Sequence, residues 1–232
     1  MTRRQIVRER PPRVQTAEIP QHVAVLPDTP YALWASGELH DYLHLPHDGT
    51  RVEVIGGRVV VSPPPGVPHG GIVQDVADAV SAARSADPEF AWRTLQVTGI
   101  DYLGTGDGYI PDLIVLAAEA LDRAREADLP KLAPDEIELV VEVTSKRGAE
   151  NDLPPADRRT RTKWNWYAHA EIPYYLLVDR SPKAGRTTLY SIPDQGAAAY
   201  LHQESWDFGE TVRLPEPFGL DIATGLWKPW KT

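Results

Sequence analysis

The order of apolar and polar positions along this chain predicts most of its elements. Thr29-Pro30-Tyr31 reads as a cap followed by a proline in the first turn, opening a helix that runs to about Tyr42. Arg51-Val52-Glu53-Val54-Ile55 and Arg58-Val59-Val60-Val61-Ser62 flank Gly56-Gly57. That is a hairpin pattern, because two glycines supply the positive φ angles of a two-residue turn. Pro63-Pro64-Pro65 ends the second strand. His69 is expected just ahead of a helix whose apolar stripe is Ile72, Val76, Ala79, Val80 and Ala83. A strand is expected over residues 91–102, a turn at the glycines 104–108, a strand carrying Asp112, and a short helix over 117–128.

Ile137 to Val143 is continuously apolar except for Glu138 and Glu142, the pattern of a central strand covered on both faces. Glu138 lies near the strand's start, where solvent is easier to reach. A helix over 157–170 follows, then a strand at Tyr174-Tyr175-Leu176-Leu177-Val178-Asp179. Antiparallel strands are expected at 187–192, 199–203 and 211–214. There is no internal repeat and no domain linker, so residues 31–232 are read as a single domain. Residues 1–30 carry Arg3, Arg4, Arg8, Arg10 and Arg13 among five prolines and read as an extended basic arm.

Composition narrows the chemistry. The absence of cysteine excludes disulfides, thiolate zinc sites and cysteine nucleophiles, and fits a cytoplasmic protein. The basic start is not followed by an apolar segment, so no signal peptide is expected, and no run is long enough to span a membrane. A net charge of -9 counts against a protein that coats nucleic acid non-specifically. The charge is uneven, however. Lys146, Arg147, Arg158, Arg159, Arg161 and Lys163 face only Glu150, Asp152 and Asp157, so this segment is locally positive.

Two acids interrupt the most hydrophobic runs: Asp112 in Ile110-Pro111-Asp112-Leu113-Ile114, and Glu142 in Val140-Val141-Glu142-Val143. An unpaired buried carboxylate costs several kcal/mol, and a bound divalent cation is the simplest compensation. Strand alternation puts Val140, Glu142 and Thr144 on one face. If the two strands are neighbours, Asp112 and Glu142 converge on one ion, with the Val143 carbonyl as a further oxygen ligand and water completing the octahedron that magnesium prefers. Plainer readings exist for each residue. Asp112 could cap a strand turn, Glu142 could pair with an arginine, and Lys163 could lie on a solvated face. His69 could be an ordinary helix N-terminal residue, and the tryptophans core or interface anchors rather than base-stacking platforms.

Pro111-Asp112 followed by Glu142-Val143-Thr144 resembles the PD-(D/E)XK nuclease pattern, with Thr144 where a lysine is usual. Together with residues 51–62, the His69 helix, Ser145, residues 163–167 and residues 172–179, it resembles the Uma-two-type restriction endonuclease family over most of the chain after Tyr31. The resemblance implies a restriction-endonuclease-like α/β (α+β) fold, a mixed β-sheet flanked by helices, and metal-dependent hydrolysis of DNA phosphodiester bonds. It implies Mg2+ or Mn2+ as cofactor and DNA as partner, and a homodimer is compatible with it. It also implies a lysine moved to the following helix, Lys163, with Arg161 as the alternative by spacing. Glu53 would add an outer-shell or second-ion acid, against a plainer reading as a solvent-facing strand residue. The competing class is a nuclease-fold nucleic-acid or protein-binding module without catalysis, which Thr144 and the acidity favour. A carboxylate-pair glycosidase has no sugar-binding pattern to support it.

Overall fold

The computed structural model describes residues 28–156 and 161–231. In chain order these form α1 (Pro30–Ser36), α2 (Leu39–Tyr42), β1 (Arg51–Ile55), β2 (Arg58–Ser62), α3 (Val67–Ala86), β3 (Trp92–Leu95), β4 (Gly99–Tyr102), β5 (Asp107–Tyr109) and β6 (Leu113–Ala117). There follow α4 (Ala118–Glu126), β7 (Lys131–Leu132), β8 (Leu139–Val143), α5 (Lys163–His169), β9 (Tyr174–Asp179), β10 (Arg186–Asp194), β11 (Ala199–Asp207), β12 (Thr211–Leu214) and β13 (Leu220–Ala223). Most of the basic arm read from the sequence lies outside the described residues.

Three sheets organise these elements. One runs β2-β1-β5-β4-β7, the largest runs β11-β10-β9-β8-β6-β3, and β12 pairs with β13. In the largest sheet β8 is antiparallel to β6 and parallel to β9, so it is mixed, and β8 lies inside it. Both faces of β8 are covered. Leu139, Val141 and Val143 pack with Ile72, Val76 and Val80 of α3. Val140 points the other way, into a cluster with Tyr167 of α5 and Ile114 of β6. This explains the unbroken apolar run, since neither face meets water.

Several boundaries differ from the sequence reading, each for a local reason. The first helix is broken in two at Gly37, which adopts φ 83° and returns its N–H to the carbonyls of Leu33 and Trp34. Its start is as expected, with Thr29 Oγ1 accepting the Ala32 N–H at 3.1 Å. The expected strand over 91–102 is two strands in different sheets, separated by Val97 at φ 57°. His69 lies inside the first turn of α3 rather than ahead of it. The helix expected from residue 157 begins only at Lys163 among the described residues, because Thr162 caps it there. Strand β13, which the sequence reading missed, pairs with β12 to cover the α3 side of the core.

The sheet of β1 is held by a close approach that only glycine permits. The Trp34 indole lies over Gly108 so tightly that a Cβ there would sit 2.2 Å from the ring. Trp34 donates its Nε1–H to Val52 O at 2.9 Å and carries the Lys131 ammonium 4.9 Å from its ring centre. The α1 segment is thereby clamped onto β1 and β5, and Arg51 and Glu53 are fixed in place.

Candidate active site

The pairing of β6 with β8 sets Leu113 opposite Val141, which brings the residue before β6 beside the end of β8. Asp112 is that residue, and its Oδ2 accepts the Val143 N–H at 2.8 Å. From β1, Arg51 Nη1 donates to Asp112 Oδ1 at 2.8 Å and to the Ile110 carbonyl at 3.3 Å. From the first turn of α3, His69 Nε2 lies 3.0 Å from Asp112 Oδ2, yet at an angle too poor for a hydrogen bond. A buried imidazole nitrogen is thus aimed at a carboxylate with no hydrogen-bond partner.

Glu142 projects to the opposite face of β8, where α5 packs. Its Oε1 accepts from Lys163 Nζ at 2.9 Å and from the Tyr167 hydroxyl at 2.7 Å. Lys163 and Tyr167 are one helical turn apart and so share a face. The ammonium also lies 2.8 Å from Glu53 Oε1 and 3.8 Å from Asp152 Oδ1. Glu53 accepts the Ile110 N–H at 2.8 Å with the same oxygen. It is buried, so the reading of Glu53 as a solvent-facing strand residue is corrected.

Lys163 opens α5, where a cation opposes the helix dipole by roughly 0.3–1 kcal/mol. The surrounding carboxylates outweigh that term. Its position is set by a capping box in which the Thr162 N–H donates to Asn165 Oδ1 at 3.1 Å, while Asn165 Nδ2 donates to Ala198 O at 2.8 Å. Arg161, before the cap, is exposed. Between the two bases weighed from the sequence, Lys163 is the one that reaches the acids.

Asp112, Glu142, Glu53, Lys163, Arg51, His69 and Val143 all line one cavity of about 360 Å³. Burial raises the cost of charge on Asp112, but His69, Arg51 and the Val143 amide outweigh it and hold its pKa down at about 2. Glu142 goes the other way, pushed up by burial and by Asp112 and Glu53 despite Lys163. Asp152 is also pushed well up, chiefly by burial. Burial alone would lower Lys163, but Glu142, Glu53 and Asp152 reverse that and raise it. Tyr167 is raised by burial and by Glu142, so it stays a hydrogen-bond donor.

Thr144, at the usual lysine position, is fully buried and serves the backbone instead. Its Oγ1 accepts the Arg180 N–H at 2.9 Å beside the end of β9. Arg51, Asp152 and Tyr167 were not singled out by sequence reasoning. Tyr167 had a signal in its i+4 spacing from Lys163, and Arg51 in its alternation with Glu53 along β1. Asp152, in an irregular loop, had none. The basic stretch from Lys146 falls partly on residues 157–160, so Arg158 and Arg159 lie outside the described residues. A separate cluster of His40, Asp41 and His47 sits near the surface between α2 and β1 and does not line the cavity.

Residues 39–225 match the model of the Uma2 family, described as "Putative restriction endonuclease". The fold is similar to a crystal structure of a "putative nuclease belonging to DUF820" from Anabaena variabilis, with a TM-score of 0.54 and 16% sequence identity. The alignment covers 79% of this chain and 93% of that one. No curated protein matches the sequence. Among the described residues no helix is long and apolar enough to cross a membrane.

Proposed function

Given that the chain belongs to the Uma2 family of restriction endonuclease-like proteins, we propose that it is a metal-dependent endonuclease hydrolysing DNA phosphodiester bonds at the Asp112–Glu142 cavity. The observation that carries this reading is one of charge. Among the described residues, Asp112, Glu142, Glu53 and Asp152 have Arg51 and Lys163 as the fixed cations at ion-pair distance, while Lys146, Arg147 and Arg180 line the cavity without pairing with them. Four buried or half-buried carboxylates thus share two fixed cations at ion-pair distance, an imbalance that one divalent ion would offset. Burial pushes Glu142 and Asp152 toward their protonated forms. A cation between the acids opposes that shift, so its binding releases protons.

The donor set fits such an ion. Asp112, Glu142 and the Val143 carbonyl supply oxygens, and His69 Nε2, 3.0 Å from Asp112 Oδ2, supplies a nitrogen. Carboxylates suit Mg2+ and Mn2+ alike, and an imidazole tilts the set toward Mn2+. When bound, the ion would polarise a phosphate oxygen and acidify a water. The chain's own residues do the rest. Arg51 fixes the Asp112 carboxylate, and the Val143 amide holds its second oxygen. Tyr167 and Lys163 fix Glu142. Lys163, raised by its acidic neighbours, remains an ammonium at working pH. It therefore acts as a fixed positive charge against the negative charge that builds at the phosphate, and not as a general base. Its presence answers the objection raised by Thr144, which otherwise favoured a non-catalytic module.

The test pairs calorimetry with cleavage. Asp112→Asn is expected to weaken Mn2+ binding by on the order of 100-fold or more, beyond what loss of an outer-shell partner costs. It is expected to abolish nicking of plasmid DNA in Mg2+ or Mn2+. Unchanged Mn2+ affinity would remove Asp112 from the ion site. Wild-type protein that binds Mn2+ and DNA without cleaving would leave the binding-module reading in its place.

A further inference from the structure

The cavity that holds the acids continues past them. Arg180 and Trp230 line it, and both also line a neighbouring groove of about 620 Å³. The two spaces therefore adjoin at Arg180 and Trp230, beside the C-terminal segment. That segment is held down: the Trp230 N–H donates to Arg180 O at 3.0 Å, and Arg180 Nε donates to Lys228 O at 3.3 Å. Lys146 Nζ lies 3.5 Å from Lys231 O. Trp227 is the packing anchor, buried and donating Nε1–H to Asp75 of α3 at 2.8 Å. Trp230, three residues on, is only half-buried and borders both spaces.

The chemistry around Trp230 is lopsided. On the cavity side it stands with Lys146, Arg147 and Arg180, and on the groove side with Lys228 and Lys231. The one acid lining the groove is Asp75, already bonded to Trp227. The acidic cavity thus has a cationic border that carries an aromatic ring. Cations alone would serve phosphates. An aromatic ring placed among them serves a base, since every base offers a π-face, and an unpaired base presents that face without the cost of unstacking a duplex step.

Resting on the nuclease reading above, we infer that Trp230 is a stacking site for an unpaired base next to the cleaved phosphate. The substrate is then DNA with a single-stranded end or branch. Phosphates flanking that base run along Arg180, Lys228 and Lys231.

Binding by fluorescence anisotropy in Ca2+ compares a blunt duplex with one carrying a single-stranded overhang. Trp230→Leu keeps apolar bulk, and it is expected to weaken overhang binding about 5- to 150-fold while leaving blunt-duplex binding within about twofold, with Trp230→Phe recovering most of the loss. Equal losses on both duplexes, or none on either, would overturn the stacking site. Against the chance that Trp230→Leu misfolds, wild-type protein is photo-crosslinked to an overhang bearing 5-iodouracil and mapped by mass spectrometry. A crosslink on Trp230 supports the inference, and crosslinks confined elsewhere overturn it. Wild-type protein that binds neither duplex defeats the nuclease reading itself. Wild-type protein that cleaves DNA but is indifferent to Trp230→Leu defeats the stacking site alone.

Discussion

Lys163→Met is the substitution that best separates what holds the site together from what drives it. Lys163 is 4% exposed, and its ammonium lies within 2.9 Å of both Glu53 and Glu142. Methionine keeps the apolar stem and deletes the charge, leaving two buried carboxylates with only the Ile110 amide and the Tyr167 hydroxyl as donors there. Breaking a buried pair from one side costs about 3–5 kcal/mol. At about 2–4 °C per kcal/mol for a domain of this size, the melting temperature of the variant in EDTA falls by roughly 10 °C. The freed acids then hold a cation more strongly, so saturating Mn2+ restores most of that loss. Cleavage is not restored, because the charge facing the phosphate is gone, and a fall of about 10²–10³-fold is expected. Differential scanning calorimetry with and without Mn2+, run beside a plasmid nicking assay, reads both quantities. An unchanged melting point in EDTA would refute the buried pairing. Cleavage within about threefold of wild type would refute the role of the ammonium at the phosphate, since it falls far short of that loss.

Arg161→Ala is expected to leave cleavage within about twofold of wild type, because the residue is exposed and precedes the cap of α5. A larger loss than in Lys163→Met, in the same assay, would transfer the role to Arg161. Acid stability of the metal-free protein should also depend on Asp112. Its folded pKa of about 2 lies below the unfolded value, so it contributes about 2–3 kcal/mol that is fully present above pH 5 and lost as pH falls toward 2. Urea unfolding of wild type and Asp112→Asn should therefore show a gap that narrows by roughly two-thirds between pH 5 and pH 2.5, and a constant gap would refute that reasoning.

The acids were legible because each broke an apolar strand, and an unexplained carboxylate in such a run is costly enough to demand a partner. Strand period then sufficed to send Glu142 toward one face of β8. The hairpin at Gly56-Gly57 was legible for a similarly local reason, and both glycines have positive φ. What failed were the decisions that neighbours take. Residues 91–102 are uniformly compatible with strand, and only the sheet each half joins separates β3 from β4. Glu53 sits in a strand whose alternation cannot say whether its face meets solvent or Lys163. His69 looked peripheral because its partner, Asp112, is more than forty residues away in sequence. Asp152 lies in a loop with no period at all, so only packing could reveal it.

The position of Lys163 has a structural consequence beyond its proposed role at the phosphate. Had residue 144 been lysine, the charge would have come from the same strand as Glu142, and the six-stranded sheet would have held acid and base together. Here Thr144 spends its hydroxyl on the Arg180 amide, and the ammonium arrives from the first turn of α5. Lys163 consequently touches Glu142 of the six-stranded sheet and Glu53 of the five-stranded sheet at once. Arg51 repeats the arrangement, reaching from the five-stranded sheet to Asp112 at the edge of β6. Two cations thus join the sheets beside Asp112 and Glu142, the acids of the proposed ion site. Loss of either cation does more than remove a charge from the cavity: it loosens the junction that sets the distance between Asp112 and Glu142. The geometry of the proposed ion site is therefore fixed by the same pairs that hold the two sheets against each other.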